Sequence, residues 1–234
     1  MEYVDGLGRV VRSALSACWD VRFEECRPSR SFPAYRGQKN FTGWWWTATT
    51  GTDVGYESWL ERSVLIGLDF DPAVVGISSQ PFWLHWHDGR RLRRHPPDYF
   101  VRRADGSAVV VDVRADERIR EKDAEAFAAT AEACGRVGWD FARIGCPAAV
   151  REANLRWLAG YRHPRCMRPE IAARLREVFA VPGPLRAGAE AVGPPLAVLP
   201  VLFHLLWRQQ LAVDVDAALL GSETVVGPAA GDIR

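Results

Sequence analysis

The chain has 234 residues, a formal net charge of +1 and 48% hydrophobic residues. That hydrophobic share supports a real core and excludes a disordered chain; the near-neutral charge excludes a protein that is basic all over, so any nucleic-acid surface must be local. The five cysteines (Cys18, Cys26, Cys134, Cys146, Cys166) form no C-x-x-C pair, which argues against a zinc knuckle and for reduced thiols in the cytoplasm.

Residues 1–50 read as an irregular arm in which arginines and aromatics alternate, among them Arg36, Lys39, Phe41, Trp44, Trp45 and Trp46. Such interleaving suits a phosphate backbone and stacked bases, or an arm packed onto the domain that follows. Residues 56–70 carry Leu60, Val64, Gly67 and Leu68 at helical spacing, with Glu57 and Glu61 one turn apart. Asp71-Pro72 ends that helix. Residues 74–86 read as strand, interrupted at Gln80-Pro81, and Asp88-Gly89 signals a hairpin.

A second hairpin follows, and it holds the most informative pair of residues. Asp98 lies in His95-Pro96-Pro97-Asp98-Tyr99-Phe100 and Asp112 in Val109-Val110-Val111-Asp112-Val113-Arg114. Acids this close to apolar strands lose hydration and are costly unless paired or bound to a cation. A three-residue loop, Ala104-Asp105-Gly106, with Gly106 left-handed, sets Asp98 opposite Asp112 with Arg114 on their face. A two-residue Asp105-Gly106 turn would send Asp98 to the other face.

Residues 117–134 read as a helix stopped by Gly135 and Gly138, residues 139–144 as a strand, and residues 154–161 as a short helix closing the domain. The strand–helix–strand order makes a crossover that extends the sheet. Further helices are expected at 169–179, 185–192 and 196–209, then an alternating strand at 213–216 and a turn at Gly221-Ser222. Three helices followed by a hairpin is the order of a winged helix. The apolar run 196–207 contains His204 and is too short to span a bilayer, and residues 1–20 hold no apolar signal core. The expected division is an arm at 1–50, an α/β domain at 51–164, a winged-helix-like domain at 165–226 and a frayed tail at 227–234.

Helix with glutamate, hairpin, acid-x-basic strand, helix, strand is the order of the PD-(D/E)xK nuclease core. Pro97-Asp98 and Asp112-Val113-Arg114 stand where that pattern has its PD and (D/E)xK. With Tyr56-Glu57-Ser58-Trp59-Leu60-Glu61, Leu68-Asp69-Phe70-Asp71-Pro72, Gln80-Pro81-Phe82 and Asn154-Leu155-Arg156-Trp157-Leu158-Ala159-Gly160-Tyr161-Arg162, the chain resembles the TnsA-like endonuclease subunits of bacterial heteromeric transposases, over residues 30–226.

The resemblance implies a restriction-endonuclease-like α/β core with a mixed central sheet flanked by helices. It implies Mg2+-dependent (or Mn2+-dependent) cutting of one DNA strand at transposon ends, beside a DDE transposase subunit. It also implies contact with an AAA+ ATPase through the C-terminal domain, in a cytoplasmic protein that joins the nucleoid when bound to DNA. Carried over, Glu61, Asp98 and Asp112 are the acidic positions; Asp98, Asp112, Glu61 and the Val113 carbonyl are the metal ligands; Arg114 stands at the lysine.

Arginine stays protonated and stabilises negative charge but does not act as a base. Lys122, from the next helix, is the alternative cation. Arg36, Lys39, Arg94, His95 and Lys122 are the expected DNA contacts. Two other readings stay open: an assembly subunit weakened or inactivated by Arg114, and a stand-alone restriction or repair nuclease.

Overall fold

The computed structural model describes residues 1–32 and 41–229. The chain divides into two compact units, Met1–Cys146 and Pro147–Arg234.

The first unit begins with two short antiparallel strands, β1 (Glu2–Val4) and β2 (Val10–Arg12). A second pair, β3 (Gly43–Trp46) and β4 (Asp53–Tyr56), leads into helix α1 (Trp59–Phe70). Strand β5 (Val74–Ser79) is followed by the hairpin β6 (Leu84–His87) and β7 (Leu92–His95), then β8 (Tyr99–Arg103) and β9 (Ala108–Val113). Helix α2 (Glu121–Arg136) crosses over to β10 (Asp140–Ile144). The central sheet runs β10-β9-β8-β5. Its β5–β8 and β8–β9 pairs are antiparallel and β9–β10 is parallel, so the sheet is mixed.

The sequence dictates where these elements start and stop. Ser58 caps α1, its hydroxyl accepting from the Glu61 N–H at 3.1 Å, so the helix starts at Trp59 rather than at residue 56. Tyr56 belongs to β4 instead, paired with Gly43. The break expected at Gln80-Pro81 within 74–86 is present: β5 ends at Ser79, and Gln80, with a φ of 47°, turns the chain. All six residues of β9 are buried, which marks it as the centre of the sheet. The β8–β9 loop is the three-residue one: the Arg103 N–H donates to the Ser107 carbonyl, and Gly106 takes a φ of 86°.

The N-terminal segment is not a separate arm. Phe23 is fully buried and packs against Phe82 and Phe100, each at 5.1 Å between centroids, and edge-on against Trp139. The large aromatic area buried this way builds the segment into the core. Arg36 and Lys39, expected to contact DNA, lie outside the described residues.

The second unit contains α3 (Ala149–Ala159), α4 (Pro169–Val178), the two-residue strand β11 (Gly183–Pro184), α5 (Leu185–Val192), α6 (Pro195–Trp207), β12 (Leu211–Val213) and β13 (Val225–Pro228). Its sheet has the order β11-β13-β12, antiparallel throughout. The helix expected to close the first domain is α3, and it belongs to this unit. Asn154 on α3 holds it there, donating to the carbonyls of Val215 and Ala218 and accepting from the Leu220 N–H. The boundary therefore falls at 146/147 rather than at 164/165. The chain expected to fray from residue 227 continues as β13 through Pro228. The strand expected at 213–216 ends at Val213, because Asp214 turns the backbone by accepting from the N–H groups of Asp216 and Ala217. Residues 201–207 of α6 are all buried. Among the described residues, no helix is long and apolar enough to cross a membrane.

Two glycines separate backbone strain from crowding, since a Cβ at either would meet open space. Gly106→Ala is expected to destabilise by about 1–2 kcal/mol through its left-handed backbone. Gly135→Ala, inside α2, is expected to stabilise by roughly 0.5–1 kcal/mol. Urea unfolding midpoints check both signs.

Candidate active site

The β8–β9 ladder pairs Tyr99 with Val111, and carrying that register one step further brings Asp98 level with Asp112. Asp98 stands one residue before β8. Its N–H donates to the Val111 carbonyl at 3.1 Å, and its carbonyl accepts from the Gln80 N–H at 2.8 Å. Gln80 is buried in a left-handed conformation, a strained backbone placed against the site. The Asp98 Oδ2 accepts the Val113 N–H at 2.7 Å.

That single backbone donor does not offset the surroundings. Burial pushes the Asp98 carboxyl well above the usual carboxylate range, and the neighbouring charges of Glu61 and Asp112 push it further. The Val113 N–H and the more distant Arg114 pull the other way. Glu61 is raised too, chiefly by burial and also by Glu57, while the Glu57 N–H and the Ser58 hydroxyl work against the shift. Glu61, Asp98 and Asp112 thus form one crowded acidic site with too little positive charge around it.

Each partner is nevertheless occupied. Glu61 closes the N-terminus of α1, its Oε2 accepting from the Glu57 N–H at 2.7 Å and its Oε1 from the Ser58 hydroxyl at 2.9 Å. Glu57 is itself turned away to Arg30, whose Nη1 donates to it at 3.0 Å. Asp112, whose side chain is 2% exposed, meets the His95 Nε2 at 2.8 and 3.0 Å. His95 ends β7, in a different sheet from β9, and its ring stands edge-on to Phe127. It therefore points inward at Asp112 rather than standing free for DNA.

Arg114 lies just past β9, 3.7 Å from Asp123 of α2. Lys122 is exposed beside it. Arg114, Arg118, Arg120 and Lys122 line a cleft of about 410 Å3, with Glu117 and Asp123 as its acids. Arg94, on the exposed side of β7, lies over the Trp83 ring at 4.4 Å.

Asp69 on α1 is also a buried acid, but its needs are met. Its carboxylate accepts from the Thr49 N–H, the Thr49 hydroxyl and the Trp45 indole N–H. It is a tie between α1 and the β3–β4 turn, and the contrast with Asp98 identifies which acid is left in want of a cation.

The charge balance fits a hard divalent cation, which favours carboxylate oxygens and would remove the repulsion. The coordination set expected from the sequence is not assembled, however. Among the described residues, no group of three or more His, Cys, Asp or Glu side chains is arranged to hold a metal ion. The Val113 N–H, next to the carbonyl expected as a ligand, donates to Asp98. Sequence reasoning did not find the His95–Asp112 pair, because the pair joins two sheets that no local pattern relates. The two residues lie 17 positions apart, at a spacing that carries no local signal.

Because the folded-state pKa of Asp98 is raised, the protonated form is favoured by folding. Stability is then fully present below the unfolded carboxylate pKa, near 4, and is lost as pH rises through the folded value. Asp98→Asn is expected to raise the urea midpoint at pH 7. Its advantage should shrink as pH is lowered toward the ordinary carboxylate range.

A scan against protein-family models finds no match for the chain, and a search of curated proteins finds none either.

Proposed function

We propose that the first unit is a metal-dependent DNA endonuclease domain and that the chain serves as the strand-cutting subunit of a heteromeric transposase. The observation that carries this reading is the site at Asp98. Asp98 stands level with Asp112 on neighbouring positions of the hairpin, and burial together with the charges of Glu61 and Asp112 raises its carboxyl well above the usual range. The element order supports it as well. Helix α1, the antiparallel strands β5, β8 and β9, crossover helix α2 and parallel strand β10 follow the order of the PD-(D/E)xK core.

In this reading Asp98 and Asp112 would hold Mg2+, with Glu61 nearby. The ion would activate a water and neutralise charge developing on a phosphate. The chain's own residues supply the rest. The Val113 N–H fixes one Asp98 oxygen, leaving the other for a ligand. His95 orients the Asp112 carboxylate. The basic cleft of Arg114, Arg118, Arg120 and Lys122 suits a phosphate backbone. Arg114 stabilises negative charge from there and does not act as the base.

The second unit has the order α4, β11, α5, α6, β12, β13 with a β11-β13-β12 sheet, which fits a winged helix. A recognition helix presents polar and basic side chains to base edges. Here α6 instead buries residues 201–207. That favours a protein contact, the role an AAA+ regulator would take, over sequence reading.

A second reading has its own observation. Arg114 is drawn to Asp123 and Asp112 is engaged by His95, which favours a subunit that binds DNA and partners but cuts weakly. Nicking of supercoiled DNA with Mg2+ or Mn2+, with the transposase and ATPase subunits present, separates the two. Wild type should nick, Asp98→Ala and Asp112→Ala should not, and Arg114→Lys should retain or exceed wild-type activity. Activity restored only in Arg114→Lys would favour the weakened subunit; undetectable nicking by both wild type and Arg114→Lys would end the enzyme reading.

A further inference from the structure

Helix α1 carries Glu61 toward Asp98, but the residues on either side of Glu61 face elsewhere. Trp59 is 55% exposed, and Phe41, also 55% exposed, stacks on it with ring centroids 4.6 Å apart and planes 13° from parallel. The Arg62 guanidinium lies 5.3 Å from the Trp59 ring and 5.1 Å from that of Trp45. Among the described residues, no carboxylate lies within salt-bridge distance of Arg62. Two tryptophans thus hold an uncompensated cation beside an open stack of rings.

We infer that Phe41, Trp59 and Arg62 form a stacking platform for the bases of a single strand of nucleic acid. Three features point to this occupant. The two rings are each about half exposed, and they offer the kind of flat π-surface on which every base can stack. The unpaired guanidinium complements a phosphate and also stacks on aromatic planes. Trp59 and Arg62 of the platform belong with Glu61 to the same first turn of α1, and that shared turn is the ground for relating the platform to the acidic site.

The inference deepens the cleavage reading and rests on it for the purpose of the site. It names the substrate feature: DNA that is unpaired, or becomes unpaired, next to the scissile position. A duplex keeps its base faces stacked on one another and cannot offer them to Trp59.

The test is binding of a fluorescein-labelled oligothymidylate to the full chain in EDTA, read by fluorescence anisotropy at low salt, with the unlabelled protein's tryptophan emission as a second readout. Wild type should bind and its emission should be quenched. Trp59→Leu should weaken binding about tenfold, and Trp59→Phe should stay within about twofold, because stacking needs a ring rather than indole in particular. Arg62→Gln should weaken binding and flatten its salt dependence. Trp59 is exposed and Arg62 half-buried, and unchanged melting temperatures would confirm that each of the three variants is folded.

No oligonucleotide binding by wild type, or equal affinity in Trp59→Leu, would overturn the inference and leave the rings to a protein partner. Because metal is absent, the outcome is independent of cutting. Wild type that binds through Trp59 yet never nicks would sink the cleavage reading alone, and wild type that nicks with Trp59→Leu unimpaired would sink the platform alone.

Discussion

Repulsion among Glu61, Asp98 and Asp112 is the constraint on which the rest of the site depends. Two unit charges a few ångströms apart interact weakly in water but several-fold more strongly where water is partly excluded. The fold nevertheless places these acids together, beside a hairpin whose strands carry Tyr99, Phe100, Val101 and four valines of β9. Proteins seldom hold such an arrangement for stability alone, since breaking up the cluster would relieve it. Asp69, in the last turn of α1, shows that the same chain can satisfy a buried acid fully when it has only a structural task.

The compensations around the cluster are partial and of different kinds. Ser58 and the Glu57 N–H engage Glu61 as part of a helix cap. His95 engages Asp112 from another sheet. Asp98 receives one backbone N–H. None of these is a full positive charge fixed on the middle acid, and Arg114, the nearest candidate, is held by Asp123. A cation entering the site would therefore gain most at Asp98.

Local chemistry made the central hairpin legible in the sequence. Gly106 demanded a left-handed residue, the three-residue loop followed, and period-2 alternation then set Asp98 against Asp112. The crossover through α2 to a parallel β10 and the limits of α5 were readable for the same reason: propensity, capping and apolar spacing agreed. What escaped were features made by distant pairing. Residues 1–50 looked irregular because β1, β2 and β3 are three or four residues long, too short for a periodic signal, and Phe23 enters the core through tertiary packing. Helix α3 looked like the end of the first domain until Asn154 tied it to residues 215–220. The His95–Asp112 and Arg114–Asp123 pairs join elements that no spacing rule relates, and they alter the site more than any element boundary does.

The most direct measurement is a carboxyl-detected NMR titration of the full chain, with Asp98 assigned by its loss in Asp98→Asn. Asp98 should titrate well above the ordinary aspartate range without metal and fall back toward or below that range when Mg2+ is added. An Asp98 that titrates with an ordinary value and does not respond to Mg2+ would contradict this expectation.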